Sequence, residues 1–328
     1  MKLAVVGTGT IVKKFLYAVP KTAFFQCVAV CSRQQESGTR FIESCRDLEG
    51  LDTGAMQVYT DYTEMLAEPE IELVYIALPN SLHYSYAKQA LLAGKHVICE
   101  KPFTVEAKET EELIAIAKER KQFLFEAITT RNLPNYEIVK KALPKLGQIR
   151  MIQCNFSQYS SRYGEYLAGE TPNVFHPDYA GGALNDLNIY NLHFVIGLFG
   201  KPEHLFYQAN RGRKGIDLSG VAVLGYDGFQ AVCVAAKDSD SPDFVLIQGE
   251  KGYLKIDGQS SRCQQITICV DGQTETYGEG QIEGNVLYYE TMVFADTIRH
   301  GDYLGCWQKL EETKEVMEVL EGLRRSAR

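Results

Sequence analysis

The sequence has no excess of basic residues, because 42 Asp and Glu outnumber 34 Lys and Arg and leave a formal net charge of −8. Nucleic acids and anionic membrane surfaces are bound through basic patches, so this balance argues against both as partners. No apolar run approaches the ~18 to 20 residues that span a bilayer. Met1 leads almost directly into a strand with neither a basic nor an apolar leader before it, and we therefore expect a cytoplasmic protein whose partners are small molecules.

The sequence also lacks the spacings that mark metal and disulfide sites. Its nine cysteines include no CxxC pair, and its six histidines show no HExxH motif and no paired spacing with cysteines. Several cysteines lie instead in apolar runs such as QCVAVCS and HVICE, which is typical of buried free thiols in a reducing compartment. We therefore expect no metal in the site.

The chain has 328 residues, 45% of them hydrophobic, and is long enough for two domains. Over the first 125 residues, short apolar runs alternate with amphipathic segments, as they do in βαβ units with strands covered on both faces. This pattern predicts an α/β fold with a Rossmann-type, doubly wound parallel sheet over residues 1–125. The predicted strands are Lys2–Val6, Gln26–Cys31, Gln57–Tyr59, Glu72–Leu78, His96–Cys99 and Phe123–Glu126.

The pattern changes after about residue 130. Longer runs such as VAVLGYDGFQAVCVAA alternate apolar and polar positions around a turn at Asp227-Gly228, which is typical of antiparallel strands with one packed face. We predict that residues 126–328 form an α+β domain with a large, mostly antiparallel, open-faced sheet. Helices are predicted over Tyr288–Arg299 and Gln308–Arg324, and these C-terminal helices are free to pack back on the first domain.

A glycine turn joins the first predicted strand to a helix. Gly7 permits the tight turn, and Gly9 lets the backbone approach a pyrophosphate at the helix N-terminus. Val12 stands where the GxGxxG pattern has a small residue, so an ordinary strand-helix turn is the alternative. The position of the turn at the first of six strands favours a dinucleotide site. The expected contacts are Gly7, Thr8, Gly9, Thr10 and Ile11.

The second predicted strand is followed by Ser32 and Arg33, where NAD-specific sites usually carry an acidic residue. A hydroxyl and a guanidinium suit the 2′-phosphate of NADP, because they bind it with hydrogen bonds and positive charge. We therefore expect NADP in preference to NAD as the cofactor. The alternative is that Arg33 is a solvated surface residue.

Four motifs then follow in order: GTGTI, LPNSLH at 78–83, GKHVICEKP at 94–102 and GGALNDLNIY at 181–190. With these motifs the chain resembles the Gfo/Idh/MocA oxidoreductases over nearly its whole length, and it looks closest to their dihydrodiol dehydrogenase and glucose-fructose oxidoreductase branch. The resemblance implies that Lys101 lies at the nicotinamide end of the cleft and that Tyr190 is the general acid/base. An ammonium beside a phenol stabilises the phenolate and lowers a pKa that is ordinarily near ~10. The alternatives are a surface lysine and a packed tyrosine.

The resemblance also assigns residues around this pair. It places Asp186 one helical turn before Tyr190 in the same cleft, with a helix-start carboxylate as the alternative. It brings LPNSLH to the nicotinamide ribose, although a role in the first turn of a helix is an equal alternative for His83. Arg131 is expected to meet cofactor or substrate, or else to form a structural ion pair. The cofactor contacts implied in these segments are Leu78, Pro79, Asn80, His83, Glu100, Lys101 and Arg131.

Three positions depart from the family pattern. Thr129 replaces an aromatic residue of the dihydrodiol branch, so a stacking wall for a flat substrate is missing there. Asn188 replaces a usual glycine. His193, where many relatives carry an acidic residue, either shares the pocket of Tyr190 or packs in the core.

These features predict an oxidoreductase that transfers hydride to or from a sugar, polyol or vicinal diol, bound between the domains above the carboxyl ends of the Rossmann strands. One alternative is a glycoside hydrolase that oxidises its substrate transiently with tightly held NAD⁺. Another is a non-catalytic dinucleotide-binding regulator, which would not need Lys101 and Tyr190. We also expect a homodimer through the open face of the C-terminal sheet.

Overall fold

The computed structural model describes residues 1–278 and 284–327, and the chain divides into two compact units. The first unit comprises Met1–Ala127 and Asn285–Glu311, and the second comprises Ile128–Gly284 and Glu312–Arg328. The chain thus returns to the first unit after completing most of the second. The expected boundary between residues 125 and 126, with C-terminal helices free to pack back on the first domain, stays a prediction.

The first unit contains a six-stranded parallel sheet. Its strands are β1 Lys2–Val6, β2 Gln26–Cys31, β3 Gln57–Tyr59, β4 Leu73–Ile76, β5 His96–Glu100 and β6 Leu124–Ala127. The strand order is β3-β2-β1-β4-β5-β6, and every neighbouring pair is parallel. From β1 the chain adds β2 and β3 on one side of the sheet and then β4, β5 and β6 on the other, so the strand order reverses between β1 and β4. This is the order of a doubly wound Rossmann sheet, and it confirms the predicted fold class.

Five helices alternate with these strands: α1 Thr10–Ala18, α2 Gln35–Ser44, α3 Tyr62–Ala67, α4 His83–Leu92 and α5 Ala107–Arg120. Local side chains determine where some of them begin. Asp61 caps α3 by accepting hydrogen bonds from the backbone N–H groups of Thr63 and Glu64. Glu106 and Glu109 form a capping box at the start of α5.

The strand β4 is shorter than the predicted Glu72–Leu78. The ladder ends after Ala77, whose N–H donates to the carbonyl of Val6. Pro79 follows closely and has no N–H to continue it. The carboxyl end of β4 therefore opens into a loop.

The second unit is built on an eight-stranded sheet. Its strands are β7 Ile149–Ser157, β8 His204–Arg211, β9 Asp217–Tyr226, β10 Phe229–Ala236, β11 Phe244–Gly249, β12 Gly252–Asp257, β13 Gln265–Val270 and β14 Gln273–Tyr277. The order is β14-β13-β12-β11-β7-β10-β9-β8, and β7 with β10 is the parallel pair in an otherwise antiparallel sheet. Its helices are α6 Pro134–Ala142, α7 Tyr163–Leu167 and α8 Ile189–Phe199, the last entered through a wider π turn over Leu184–Asn188.

The two faces of this sheet differ in burial. One face is closed, with Ala222, Cys233 and Ile247 at 0% exposure. On the other face, the paired residues Val223 and Val232 are only partly buried. The alternation agrees with the open-faced sheet predicted from the sequence.

Two further helices end the chain, α9 Leu287–Arg299 and α10 Tyr303–Ser326. The helix α10 begins at Tyr303, five residues before the predicted start at Gln308. It begins there because the carboxylate of Asp302 caps the first turn by accepting a hydrogen bond from the N–H of Gly305. Within the described parts of the chain, every helix is too short or too polar to cross a membrane.

Candidate active site

The glycine turn after β1 leaves the N-terminus of α1 open. Gly7 has φ +113°, and a Cβ there would lie 2.4 Å from the carbonyl oxygen of Ala77, so only glycine fits. A Cβ on Gly9 would meet nothing within 4 Å, and Thr8 and Thr10 are exposed. Exposed backbone N–H groups at a helix N-terminus suit a pyrophosphate, so these residues fit a dinucleotide.

At the carboxyl end of β2, Ser32 and Arg33 have different surroundings. Ser32 is nearly buried: its N–H donates to the carbonyl of Tyr59 at 3.0 Å and its hydroxyl donates to the carbonyl of Gln34 at 3.1 Å. Arg33 is exposed. Ser32 therefore has hydrogen-bond partners within this loop, whereas Arg33 is exposed, and the predicted contacts of both residues with the cofactor stay predictions.

His83 lies inside the first unit. Its ring is fully buried, with Nδ1 2.9 Å from the carbonyl oxygen of Pro102 and Nε2 2.8 Å from that of Leu78. Burial lowers the pKa of His83, and the two carbonyls oppose that effect. The ring thus joins the loops that contain the LPN and EKP motifs. Its cofactor contact stays a prediction, whereas its position at the start of α4 matches the alternative given above.

Glu100 also lies inside the first unit. The carboxylate is buried, accepting a hydrogen bond of 2.5 Å from the hydroxyl of Tyr75 and one of 3.3 Å from the N–H of Lys101. Burial raises the pKa of Glu100, while these hydrogen bonds and the Lys101 charge oppose the rise. Glu100 therefore holds the backbone at Lys101, whose side chain is partly exposed. Its predicted contact with the cofactor is untested.

Two more buried carboxyl groups, Glu126 in β6 and Glu290 in α9, lie close enough to Glu100 to interact with it electrostatically. Burial and these like charges raise the pKa of Glu290 well above its usual value. Oε2 of Glu290 has no hydrogen-bond partner among the described residues. No sequence signal pointed to Glu290, because α9 follows β6 by 160 positions in the chain.

In the second unit, the GGALND segment begins the helix that carries Asp186 and Tyr190. Gly182 has φ +101°, and a Cβ there would overlap the carboxylate of Asp217 at 1.9 Å. Asp217 accepts hydrogen bonds from the N–H of Leu184 at 2.7 Å and from the hydroxyl of Tyr207 at 2.8 Å. Burial raises the pKa of Asp217, and these bonds oppose the rise. The Asp217 carboxylate thus accepts the N–H of Leu184 at the start of the π turn, which has no partner within the helix. Single π turns of this kind are frequent at functional sites.

The departure at Asn188 has a structural role. Its side-chain amide donates to the carbonyl of Cys233 at 3.0 Å, and its oxygen accepts from Asn191 at the same distance. Asn191 also donates to the carbonyl of Val234, and its oxygen accepts from the hydroxyl of Ser260. All three polar side chains are buried, so this network ties the helix to β10.

Asp186 lies in the π turn and Tyr190 lies one turn later, at the start of α8. Asp186 pairs with Lys237, which follows β10; the Lys237 side chain is 4% exposed and that of Asp186 29%. Tyr190 is partly buried and packs on Phe156, with ring centroids 5.7 Å apart. Sequence reasoning missed Lys237, although a lysine ending the apolar run QAVCVAAK was a detectable signal.

The structure also places the remaining predicted residues. Arg131 is in the second unit, where its guanidinium binds the carboxylate of Glu312 at 2.5 Å and the hydroxyl of Thr313 at 3.0 Å. These contacts match the ion-pair alternative, and contact with cofactor or substrate stays a prediction. Thr129 donates to the carbonyl of Ser261, and His193 is fully buried, as its packing alternative requires.

The predicted site residues fall into two groups. The glycine turn, Ser32, Arg33, the LPN segment, His83, Glu100 and Lys101 belong to the first unit, and Arg131, Asp186 and Tyr190 to the second. Over residues 1–278 and 284–327, no three His, Cys, Asp or Glu side chains are grouped to hold a metal ion.

Family models match both parts of the chain. Residues 1–128 match the GFO_IDH_MocA model, an oxidoreductase family with an NAD-binding Rossmann fold, and residues 141–255 match the GFO/IDH/MocA C-terminal domain.

Individual proteins are similar over most of their length. The NADP(+) scyllo-inositol 2-dehydrogenase IolU of Bacillus subtilis is 32% identical, over 99% of this chain and 96% of its own. Trans-1,2-dihydrobenzene-1,2-diol dehydrogenase of Sus scrofa is 31% identical, over 78% and 74%. The crystal structure of KijD10, a 3-ketoreductase from Actinomadura kijaniata in complex with NADP and TDP-benzene, superposes with a TM-score of 0.86 at 21% identity, covering 100% of this chain and 98% of that one. This last likeness shows the fold.

Proposed function

The chain belongs to the GFO/IDH/MocA oxidoreductases, and we propose that it transfers hydride between a nicotinamide cofactor and the carbinol carbon of a sugar, polyol or vicinal diol. The observation that carries this proposal is the accessible N-terminus of α1, which follows a turn at Gly7. Only glycine fits at position 7, whereas the space around Gly9 is open. The names of two relatives, a scyllo-inositol dehydrogenase and a dihydrobenzenediol dehydrogenase, support a cyclic diol or polyol as substrate.

In this proposal Tyr190 exchanges the hydroxyl proton and Lys101 favours its phenolate form. When bound, the nicotinamide supplies or accepts the hydride. On oxidation of the substrate, the phenolate of Tyr190 takes the hydroxyl proton as the C–H bond is lost, and on reduction the phenol returns it. The support is the match of both residues to the family motifs, together with the buried carboxylate of Glu100 that accepts the N–H of Lys101.

We assign NADP as the preferred cofactor, through Arg33. IolU and the D-xylose 1-dehydrogenase of Hypocrea jecorina, which is 27% identical, both carry NADP(+) in their names. The exposed guanidinium at the end of β2 has the charge and geometry to bind a 2′-phosphate. The replacement Arg33→Ala should weaken NADPH binding roughly tenfold or more while leaving NADH binding unchanged. Arg40→Ala, which removes an exposed arginine in α2, is the matched control.

The decisive experiment combines binding and turnover. Fluorescence titration with NADPH and NADH comes first, followed by a screen of cyclic polyols, sugars and diols at 340 nm. Lys101→Met and Tyr190→Phe should each abolish turnover with little change in cofactor affinity. Loss of affinity in both variants would contradict the catalytic roles, and glycoside cleavage without net absorbance change would favour the hydrolase.

We further propose a homodimer through the open face of the eight-stranded sheet. Val221, Val223, Val232, Val234 and Leu246 share that face by strand register, and none of them is fully buried. A patch of adjacent aliphatic side chains is costly to leave in water. Light scattering at micromolar concentration should give twice the 36.8 kDa chain mass, and Val223→Glu should give the single chain. A monomeric wild-type protein would contradict this proposal.

A further inference from the structure

A deeply buried lysine pairs with Asp186, one helical turn before the proposed acid/base, and no motif contains it. Lys237 is 3% exposed, and its Nζ binds Oδ2 of Asp186. Burying an ammonium is costly unless it is paired, so this carboxylate is what allows a lysine to occupy the position. The ammonium also lies 5.5 Å from the ring centroid of Phe175, a second favourable contact.

The backbone of Lys237 is held as firmly as its side chain. Its N–H donates to the carbonyl of Leu218 at 2.8 Å, and its carbonyl accepts from the N–H of Ser160 at 2.9 Å. Leu218 lies in β9, and Ser160 follows β7. Lys237 therefore reaches Asp186 from a fixed point at the end of β10.

The π turn is tied to the sheet at three alternate residues. Leu184 binds the carboxylate of Asp217, Asp186 binds Lys237, and Asn188 binds the carbonyl of Cys233. Leu184 and Asn188 are 2% and 0% exposed, so their tethers lie within the core. Asp186 keeps 29% of its side chain accessible and is the one of the three that can also meet a ligand.

From these contacts we infer that Lys237 is a positioning residue of the reaction, acting through Asp186: it holds that carboxylate in a fixed orientation one turn before Tyr190. This inference rests on the proposed function. An ionised carboxylate held in one direction accepts a hydrogen bond from a substrate hydroxyl and aligns the reacting carbinol. Asp186 itself then orients the substrate, and Tyr190 remains the group that moves the proton.

A double-mutant cycle tests the coupling. Lys237→Met and Asp186→Asn should each lower kcat by roughly 10- to 100-fold with cofactor affinity within about twofold of wild type. The double variant should be no slower than the slower single variant, because both changes remove one interaction. Lys237→Arg keeps the charge and should recover part of kcat.

Two further variants separate positioning from general stability. Lys201→Met removes an ion-paired lysine of the same unit, bound to Glu318 and far more exposed, and should leave kcat unchanged. If Lys237→Met fails to fold because it leaves the partly buried carboxylate of Asp186 unpaired, the double variant, which removes both charges, is expected to fold and gives the comparison.

The outcomes are distinguishable. A wild-type enzyme that turns over substrate, with Lys237→Met lowering only the melting temperature and leaving kcat and KM intact, would overturn the inference alone. Strictly additive losses in the double variant would overturn it as well. A wild-type protein that binds NADPH but turns over none of the screened substrates would overturn the proposed function, and the role of Lys237 with it.

Discussion

The hydroxyl of Tyr75 donates a 2.5 Å hydrogen bond to the buried carboxylate of Glu100. Tyr75 is itself fully buried, and its ring stacks on Phe15 of α1 with centroids 3.9 Å apart. A chain of contacts thus runs from the helix after the glycine turn, through Tyr75 and Glu100, to the N–H of Lys101. Two motifs about 90 residues apart are connected through the core of the first unit.

Removing the Tyr75 hydroxyl should therefore destabilise the unit and loosen Lys101. Tyr75→Phe leaves a buried carboxylate with one donor fewer, at a cost of about 1 to 3 kcal/mol in unfolding free energy. Urea unfolding measures the loss. Tyr62→Phe is the matched control, because its hydroxyl donates to the neutral carbonyl of Tyr86 and should cost less. Equal losses in the two variants would contradict this role for Glu100.

Glu290 should make the protein less stable as the pH rises. Its pKa is raised in the folded state, so between about pH 4.3 and that raised value the folded protein holds a proton that the unfolded chain releases. The stability that Glu290 contributes is therefore complete below about pH 4.3 and is lost with rising pH, at up to about 1.4 kcal/mol per pH unit. Glu290→Gln, which mimics the protonated acid, should reduce this decline. Urea unfolding at several pH values between 5 and 8 measures it.

The control for Glu290 is an exposed acid of the same unit. Glu36→Gln in α2 should leave the pH dependence of unfolding unchanged. If Glu290→Gln has the same slope as wild type from pH 5 to 8, Glu290 is not a buried neutral acid.

His83 should determine how well the first unit holds its cofactor. His83→Phe removes the ring nitrogens that lie against the carbonyls of Leu78 and Pro102, and with them the N–H that one of these carbonyls accepts; we expect NADPH to bind roughly tenfold more weakly because the two loops are no longer joined. His96→Phe is the control. That side chain accepts the N–H of Phe123 at the opposite, amino end of β5, so its loss should lower stability and leave the NADPH titration unchanged. Unaltered NADPH affinity in His83→Phe would contradict the prediction.

Gly182 should tolerate no side chain, for a reason beyond its backbone angle. Gly182→Ala and Gly169→Ala both place a Cβ at a positive φ, +101° and +104°, which costs roughly 1 to 2 kcal/mol. At 169 the Cβ meets nothing within 4 Å, whereas at 182 it overlaps Asp217 and displaces the acceptor of the Leu184 N–H. Thermal unfolding should show Gly182→Ala to be the more destabilised by at least about 1 kcal/mol. Equal melting temperatures would show that Asp217 can move away freely.

The first sheet could be predicted almost strand by strand, and the reason lies in its burial. A strand covered on both faces is a continuous apolar run, and β1, β2 and β3 begin and end at the predicted residues. The bounds of β5 and β6 differ from the prediction by one residue, and the larger errors came where a single residue acts locally. Pro79 follows the shortened β4, and Asp302 starts α10 five residues before the predicted start.

Within the site, the sequence located the residues that stand in motifs and missed those that hold them. Asp186 and Tyr190 are in GGALNDLNIY, but Lys237 is 51 positions beyond Asp186 and Asp217 is 33 beyond Leu184. Spacing along a chain does not show such pairs, because strand register brings them together. His83 was recognised in its motif, yet only the folded chain shows its two carbonyl partners.

The sequence by itself determined the Rossmann sheet, the open-faced second sheet, the glycine turn and the family, because these depend on patterns and motifs local to the chain. Tertiary structure alone decided which charges are paired. Folding places Glu290 beside other buried acids, brings the Asp217 carboxylate to the N–H of Leu184, and pairs Lys237 with Asp186. Each of these contacts joins segments that are far apart in sequence. Their free energies depend on removal from water, which only folding produces.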